Sequence, residues 1–169
     1  NSEVHYIQEK PKSIGNSVTL PNDINNIEQL EEVLLALTEQ VTYRLRKEKL
    51  LANSVSVQLR TKKFEDTSHQ EKLDFATSST KKILKKAKHL LEEMFKEGMF
   101  IRLIGVRVDN LVEKEETQIS LFNNTEENEK QKQLDKVIDS LNDKYGYNSI
   151  TRAGKLNIDE IVRINSKKF

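Results

Sequence analysis

Between Ile14 and Leu111 the apolar residues of this chain keep switching between two spacings. In SVSVQLR (54–60) they fall at every second position. Val55, Val57 and Leu59 point one way, and Ser54, Ser56, Gln58 and Arg60 the other, as in a half-buried strand. Over 27–49 they fall at every third or fourth. Ile27, Leu30, Leu34, Leu37, Val41 and Leu45 then form one stripe of a long helix.

The remaining segments follow the same logic. IGNSVTL (14–20) reads as a short strand that Pro21 ends, because proline has no N–H for the ladder. Asn26 caps the first helix, with Gln29 three residues on. Acidic Glu31, Glu32 and Glu39 come early in it and basic Arg44, Arg46, Lys47 and Lys49 late, which suits the helix dipole. Thr61, Lys62 and Lys63 form a turn, and 64–75 return as the second arm of a hairpin. Ser78 or Ser79 caps a second helix over 80–97, with Ile83, Ala87, Leu90, Leu91 and Met94 inside and Gly98 as the residue just past its end. FIRLIGVRVDNL (100–111) is the last strand.

The expected fold is α+β. It is a two-layer β-α-β-β-α-β domain in which a four-stranded, mainly antiparallel sheet carries two helices on one face. A tail with a further helix follows, over 126–145, with Leu134, Val137, Ile138 and Leu141 on one side and Gly146 at its end. Residues 1–12 read as a linker, 13–112 as the domain, 113–125 as an acidic connector and 126–169 as helix and tail, with a last apolar set at Ile158, Ile161, Val162 and Ile164.

Composition narrows the function. Hydrophobic residues make up 36% and charged residues 33%, which suits a modest core under a large solvated surface. No run of 18 apolar residues is present, so no transmembrane helix is expected. Without cysteine there can be no disulfide or thiolate metal site, and a reducing cytosol fits. Asn1 in place of Met, with the linker-like NSEVHYIQEKPKS, points to a piece of a longer protein. The net charge of +1 conceals an asymmetry. Residues 44–107 carry 16 Lys and Arg against 8 Asp and Glu, whereas 113–135 carry 3 against 7. A basic body fits a polyanion partner, and solvated helix faces give the same count.

The face of the sheet away from the helices is legible from the alternation. It offers Ser13, Gly15, Ser17 and Thr19 from the first strand, Ser54, Ser56, Gln58 and Arg60 from the second, and Gly105 and Arg107 from the last. It has no aromatic ring on which to stack a base, as RNA-recognition sheets do. Small hydroxylic residues instead let a phosphate approach, and glycine removes a Cβ that would hold it off. The pattern favours binding a nucleic-acid backbone without reading sequence; a plain solvated face with register glycines is the alternative. One string remains outside this scheme. TQISLF (117–122) places Ile119, Leu121 and Phe122 in acidic, Asn-rich surroundings, either as a stray strand or as a plug for another protein's pocket.

KSIGNSVTLP (12–21), EVLLALTEQVTYRLRKE (32–48), SVSVQLR, FEDTSHQEKL (64–73) and IRLIGVRVDNL (101–111) together resemble, in order, the little finger domain of Y-family translesion DNA polymerases. The bacterial DNA polymerase IV kind is the nearest in pattern, and QLDKVIDSLNDKYGYNSITRA (133–153) resembles the tail of bacterial members. Two departures stand out: His69 and Glu71 lie where relatives are often richer in arginine, and Leu103 where some carry a second arginine.

The resemblance implies a non-catalytic domain whose sheet lies in the major groove of primer–template DNA and holds both backbones. It implies contacts from Ser13, Ile14, Gly15, Asn16 and Ser17, from Thr67, Ser68, His69 and Gln70, and from Arg102 and Arg107, to which the outward-face pattern adds Arg60 and Gly105, with Lys62 and Lys63 at its edge. It also implies that Gln118, Ile119, Ser120, Leu121 and Phe122 form a motif for the bacterial sliding clamp, with Leu121 and Phe122 filling an apolar pocket. A cytoplasmic, nucleoid-associated place follows from the same likeness. No membrane partner and no oligomer is expected.

No catalytic or metal-binding residue is expected in this stretch. Nucleotidyl transfer needs clustered carboxylates around two magnesium ions. By the resemblance those lie in a palm preceding residue 1, so magnesium belongs to the full-length polymerase. His5, His69 and His89 lack the spacing of a zinc site, and Asp109 reads as a strand-terminal cap. The competing function is a protein–protein adaptor, with the sheet edge or the C-terminal helix as its surface and no DNA binding of its own.

Overall fold

The computed structural model describes residues 10–114 and 126–145. The elements run β1 (Ser13–Ile24), α1 (Ile27–Lys47), β2 (Leu50–Thr61), β3 (Asp66–Thr77), α2 (Thr80–Met94), β4 (Ile101–Asp109), β5 (Val112–Glu113) and α3 (Glu126–Tyr145). The main strands lie in the order β1-β4-β2-β3, and every neighbouring pair is antiparallel. Each helix therefore carries the chain over one intervening strand: α1 from β1 to β2 across β4, and α2 from β3 to β4 across β2. This is the expected α+β arrangement. The two-residue β5, which pairs with Leu50 and Leu51 of β2, has no periodicity to reveal it in the sequence.

One core joins the layers. Val18, Leu20, Val55, Val57, Leu59, Ile104, Val106 and Val108 from the sheet meet Leu30, Leu34, Leu37, Val41 and Leu45 of α1 and Ile83, Ala87, Leu90 and Leu91 of α2. Each of the larger aliphatic side chains contributes about 1.5–3 kcal/mol on burial. The cap of α1 is as expected, with Asn26 Oδ1 accepting from the Gln29 N–H at 3.1 Å. Ser79 caps α2. A buried Thr42–Thr80 hydroxyl pair at 2.8 Å ties the two helices.

Three boundaries differ from expectation. β1 runs through Pro21 to Ile24, because it is an edge strand and its pairing with β4 breaks between Thr19 and Ile24, where a missing N–H leaves nothing unpaired. α2 stops at Met94, so Gly98 is not its C′ residue. Phe95 and Met99 turn down onto the core, and Gly98, at φ +88°, makes the bend between them. α1 stops at Lys47, and Lys49 takes the left-handed conformation (φ +55°) that usually falls to glycine.

α3 docks by its acidic face. Arg46 of α1 holds Asp139 through Nε at 2.6 Å and Nη2 at 2.9 Å, and lies 3.7 Å from Asp135, which is 2% exposed. Tyr43 donates to Asp143. The three aspartates recur every four residues along one side. Leu134 and Val137, expected on a packing stripe, face solvent instead. Residues 1–9 of the linker, the segment 115–125 and the residues from Gly146 onward lie outside the described residues, and with them TQISLF and the last apolar set. No described helix is long and apolar enough to cross a membrane.

Candidate nucleic-acid interface

The strand register lays the open face out as four rows. From β1 through β4 and β2 to β3 they read Ser13–Asp109–Ser54–Lys72, Gly15–Arg107–Ser56–Gln70, Ser17–Gly105–Gln58–Ser68 and Thr19–Leu103–Arg60–Asp66. No ring stands on any of them. The two middle rows enclose a shallow depression of about 390 Å³, lined by Gly15, Ser17, Ser56, Gln58, Ser68, Gly105 and Arg107 among others.

The glycines work differently from the sequence expectation. A Cβ on Gly105 would stand 2.9 Å from the Cβ of Ser17, its register partner. The missing side chain is thus already replaced by Ser17. A Cβ on Gly15 would come within 3.1 Å of Arg107 Cβ and Cγ. Gly15 lets the arginine stem lie close along β1, with the Arg107 side chain 58% exposed. Among the described residues only Asp109 meets its guanidinium, at 3.2 Å from Nε. Arg44, reaching from α1, donates to the Gly15 carbonyl at 3.3 Å and steadies that edge.

Ser54 and Ser56 are on this face as expected yet nearly buried, since longer neighbours close over them. Ser54 Oγ accepts from Gln70 Nε2 at 3.1 Å and from Asn110 Nδ2 at 3.3 Å. Arg60 is engaged with Asp66 at 2.7 and 3.1 Å. That hydrogen-bonded contact holds the Asp66 carboxyl below its ordinary pKa and raises that of Arg60. A phosphate meeting either arginine has to compete with a carboxylate, Asp66 at Arg60 and Asp109 at Arg107, but Arg107 is held by one contact and is the more exposed, at 58% against 36%.

The site residues expected from the sequence thus separate into three groups. Ser13, Gly15, Ser17, Arg60, Ser68, Gln70, Gly105 and Arg107 share the open face. Ile14, Asn16, Thr67 and His69 turn their side chains the other way. Ile14 is core, Asn16 donates to Gln40 of α1, and His69 lies 3.8 Å from Glu93 of α2. Any contact from Ile14 or Asn16 to a ligand on the open face must use backbone. Lys62, Lys63 and Arg102 gather at the end of the sheet. Arg102 meets Asp23 at 3.4 Å and lies over the ring of Phe64 at 4.7 Å; Lys62 lies over Phe100 at 4.2 Å. Lys72, at the edge of the first row, was missed, although the same period-2 pattern in β3 marks it. Glu71 faces the helices and pairs with Lys86 at 2.9 Å, which lowers its pKa. Among the described residues no three His, Asp or Glu side chains converge as a metal set.

A model of the impB/mucB/samB family C-terminal domain matches residues 11–121. The DNA polymerase IV of Clostridium acetobutylicum is 36% identical over 160 residues, which cover 95% of this chain and 40% of that protein. The DNA polymerase IV of Acetivibrio thermocellus is 35% identical over 83% of this chain and 36% of that protein. The chain therefore spans about two fifths of the length of these relatives. A solved structure described as an insertion ternary complex of Dbh DNA polymerase shares the fold, with a TM-score of 0.53 at 20% identity over 60% of this chain and 29% of that one.

Proposed function

This chain belongs to the impB/mucB/samB family C-terminal domains, and from that premise we propose that it is the DNA-holding part of a translesion DNA polymerase of the polymerase IV kind. The open face grips the backbones of primer–template DNA. The two-metal carboxylate set of nucleotidyl transfer, and its magnesium, belong to a different part of the longer protein. The observation that carries the reading is the make-up of the two middle rows: hydroxyl, amide and glycine positions with the exposed Arg107 and no ring. Such a surface can position phosphates, because hydroxyls, amides and an exposed guanidinium all donate to their oxygens, and it offers no ring on which to stack a base.

Gln118, Ile119, Ser120, Leu121 and Phe122 are proposed to bind the bacterial sliding clamp. Support comes from the motif itself and from its place just past the last strand. Replacing Leu121 and Phe122 by Ala should abolish co-elution with a bacterial clamp and leave the melting temperature unchanged. A fall in melting temperature would instead make the pair part of the core. A cytoplasmic place on the nucleoid follows from the same reading.

Fluorescence anisotropy with two labelled duplexes of unrelated sequence tests the DNA function. Equal affinities are expected, each weakening steeply with salt. Absence of binding to either at low salt would favour a protein–protein adaptor, for which the solvent-facing Leu134 and Val137 of α3 supply a surface.

A further inference from the structure

The open face lacks rings, but the end of the sheet does not. Phe64, in the turn between β2 and β3, is 68% exposed, and Phe100, just before β4, is 36% exposed. Phe64 is held at φ +63°, a left-handed conformation that a bulky residue adopts at a cost. The turn that holds it is pinned rather than loose. Phe64 N–H donates to Thr61 O at 2.9 Å, Thr61 N–H to Glu65 O at 3.0 Å, and Lys62 N–H to Phe100 O at 2.9 Å. The last bond locks the segments bearing the two rings to each other. Arg102, which also meets Asp23 at 3.4 Å, lies over one face of the Phe64 ring, Lys62 lies over one face of the Phe100 ring, and Lys63 is exposed beside them.

We propose that this end of the sheet is a stacking platform for unpaired nucleobases of a single-stranded nucleic acid, with Phe64 and Phe100 as the rings and Lys62, Lys63 and Arg102 as the phosphate partners. Rigid exposed rings beside cations are what a single strand requires, since each base offers a π-face and each link a phosphate. Bases inside a duplex are stacked on one another and have no face to give, so a duplex gains nothing from the rings. A protein partner would have to bury the Lys62 and Lys63 ammonium groups as well as the rings; a nucleic acid matches both at once. The position agrees. Arg60 and Asp66 form the last row of the open face, and the Phe64 turn joins those two residues. A strand leaving that face at this end runs onto the rings. The inference extends the proposed function without depending on it: duplex affinity reports the open face, and single-strand affinity reports the rings.

The test uses the whole chain and three labelled probes of equal length: oligo-dT, an abasic deoxyribose-phosphate strand and a duplex. Oligo-dT should bind the wild type more tightly than the abasic strand. Phe64→Asn, which keeps a residue that tolerates the left-handed turn, should weaken oligo-dT binding by about fivefold or more. Adding Phe100→Ala should bring oligo-dT down to the abasic level and leave the duplex affinity as in the wild type. Equal wild-type affinity for oligo-dT and the abasic strand would overturn the proposal, even if a variant fails to fold. So would unchanged oligo-dT affinity in the folded double variant, which would leave the patch to a protein partner.

Discussion

At the scale of single residues, packing on the open face is set by what glycine leaves out. The Gly105→Ala Cβ would press to 2.9 Å against Ser17 Cβ, and neither atom can rotate away. The variant should lose about 1–3 kcal/mol, read as a lower urea midpoint. Gly15→Ala should cost less, because its contacts are looser and partly with the swinging stem of Arg107. Lys49→Gly should act in the opposite sense. It relieves a left-handed lysine at the end of α1 and should gain up to about 1 kcal/mol, with no change in the pairing of Leu50 and Leu51. Which side chains share the face was legible wherever the alternation ran clean, as in Gly105 and Arg107. Resemblance alone gave Asn16 and His69, and it carried no parity. Both turned out to face the helices, where Gln40 and Glu93 receive them.

At the scale of elements, α3 is the part that the hydrophobic pattern misdescribed. Periodicity found its boundaries, Glu126–Tyr145, because the apolar residues do recur with helical spacing. It could not tell that an aspartate stripe would dock on Arg46 and Tyr43 while Leu134 and Val137 face out, since that choice depends on a residue 93 positions away. Pro21 and Gly98 misled for a related reason: each punctuates a local pattern that pairing or packing overrode.

The docking has a titration signature. The hydrogen bond to Asp143, with burial and the nearby carboxylates, raises the Tyr43 pKa from 10.0 to about 12. Because the folded value lies above the unfolded one, the contact contributes fully below pH 10.0 and is lost as pH rises through about 12. Phenolate absorbance should therefore show one late-titrating tyrosine that disappears in Tyr43→Phe and moves back toward 10.0 in Asp143→Asn. Arg46→Met should free α3, seen as faster proteolysis within 126–145, while the two-layer domain stays folded. Equal cleavage in wild type and variant would mean that α3 is not held by this pair.

At the scale of the whole molecule, the fold separates its tasks by surface. One face of the sheet is committed to the helices and the core. The other is left as a ringless, hydroxyl-rich plane with Arg107 standing out of it. The end carries Phe64 and Phe100, and α3 sits on the helix side by charge. The basic excess within 44–107 lies largely on the helices, for instance at the exposed Lys81, Lys82 and Lys85 of α2. Net charge alone therefore does not say where a polyanion sits, and the strand register does. The most direct measurement is the salt dependence of duplex affinity for the wild type, Arg107→Glu and Lys85→Glu. If the open face holds the backbone, Arg107→Glu weakens binding on every duplex sequence and flattens the slope by about one unit. Lys85→Glu, on the helix layer, leaves affinity and slope close to the wild type. Unchanged affinity and slope in Arg107→Glu, or a larger loss in Lys85→Glu, would contradict the assignment of the DNA to the open face.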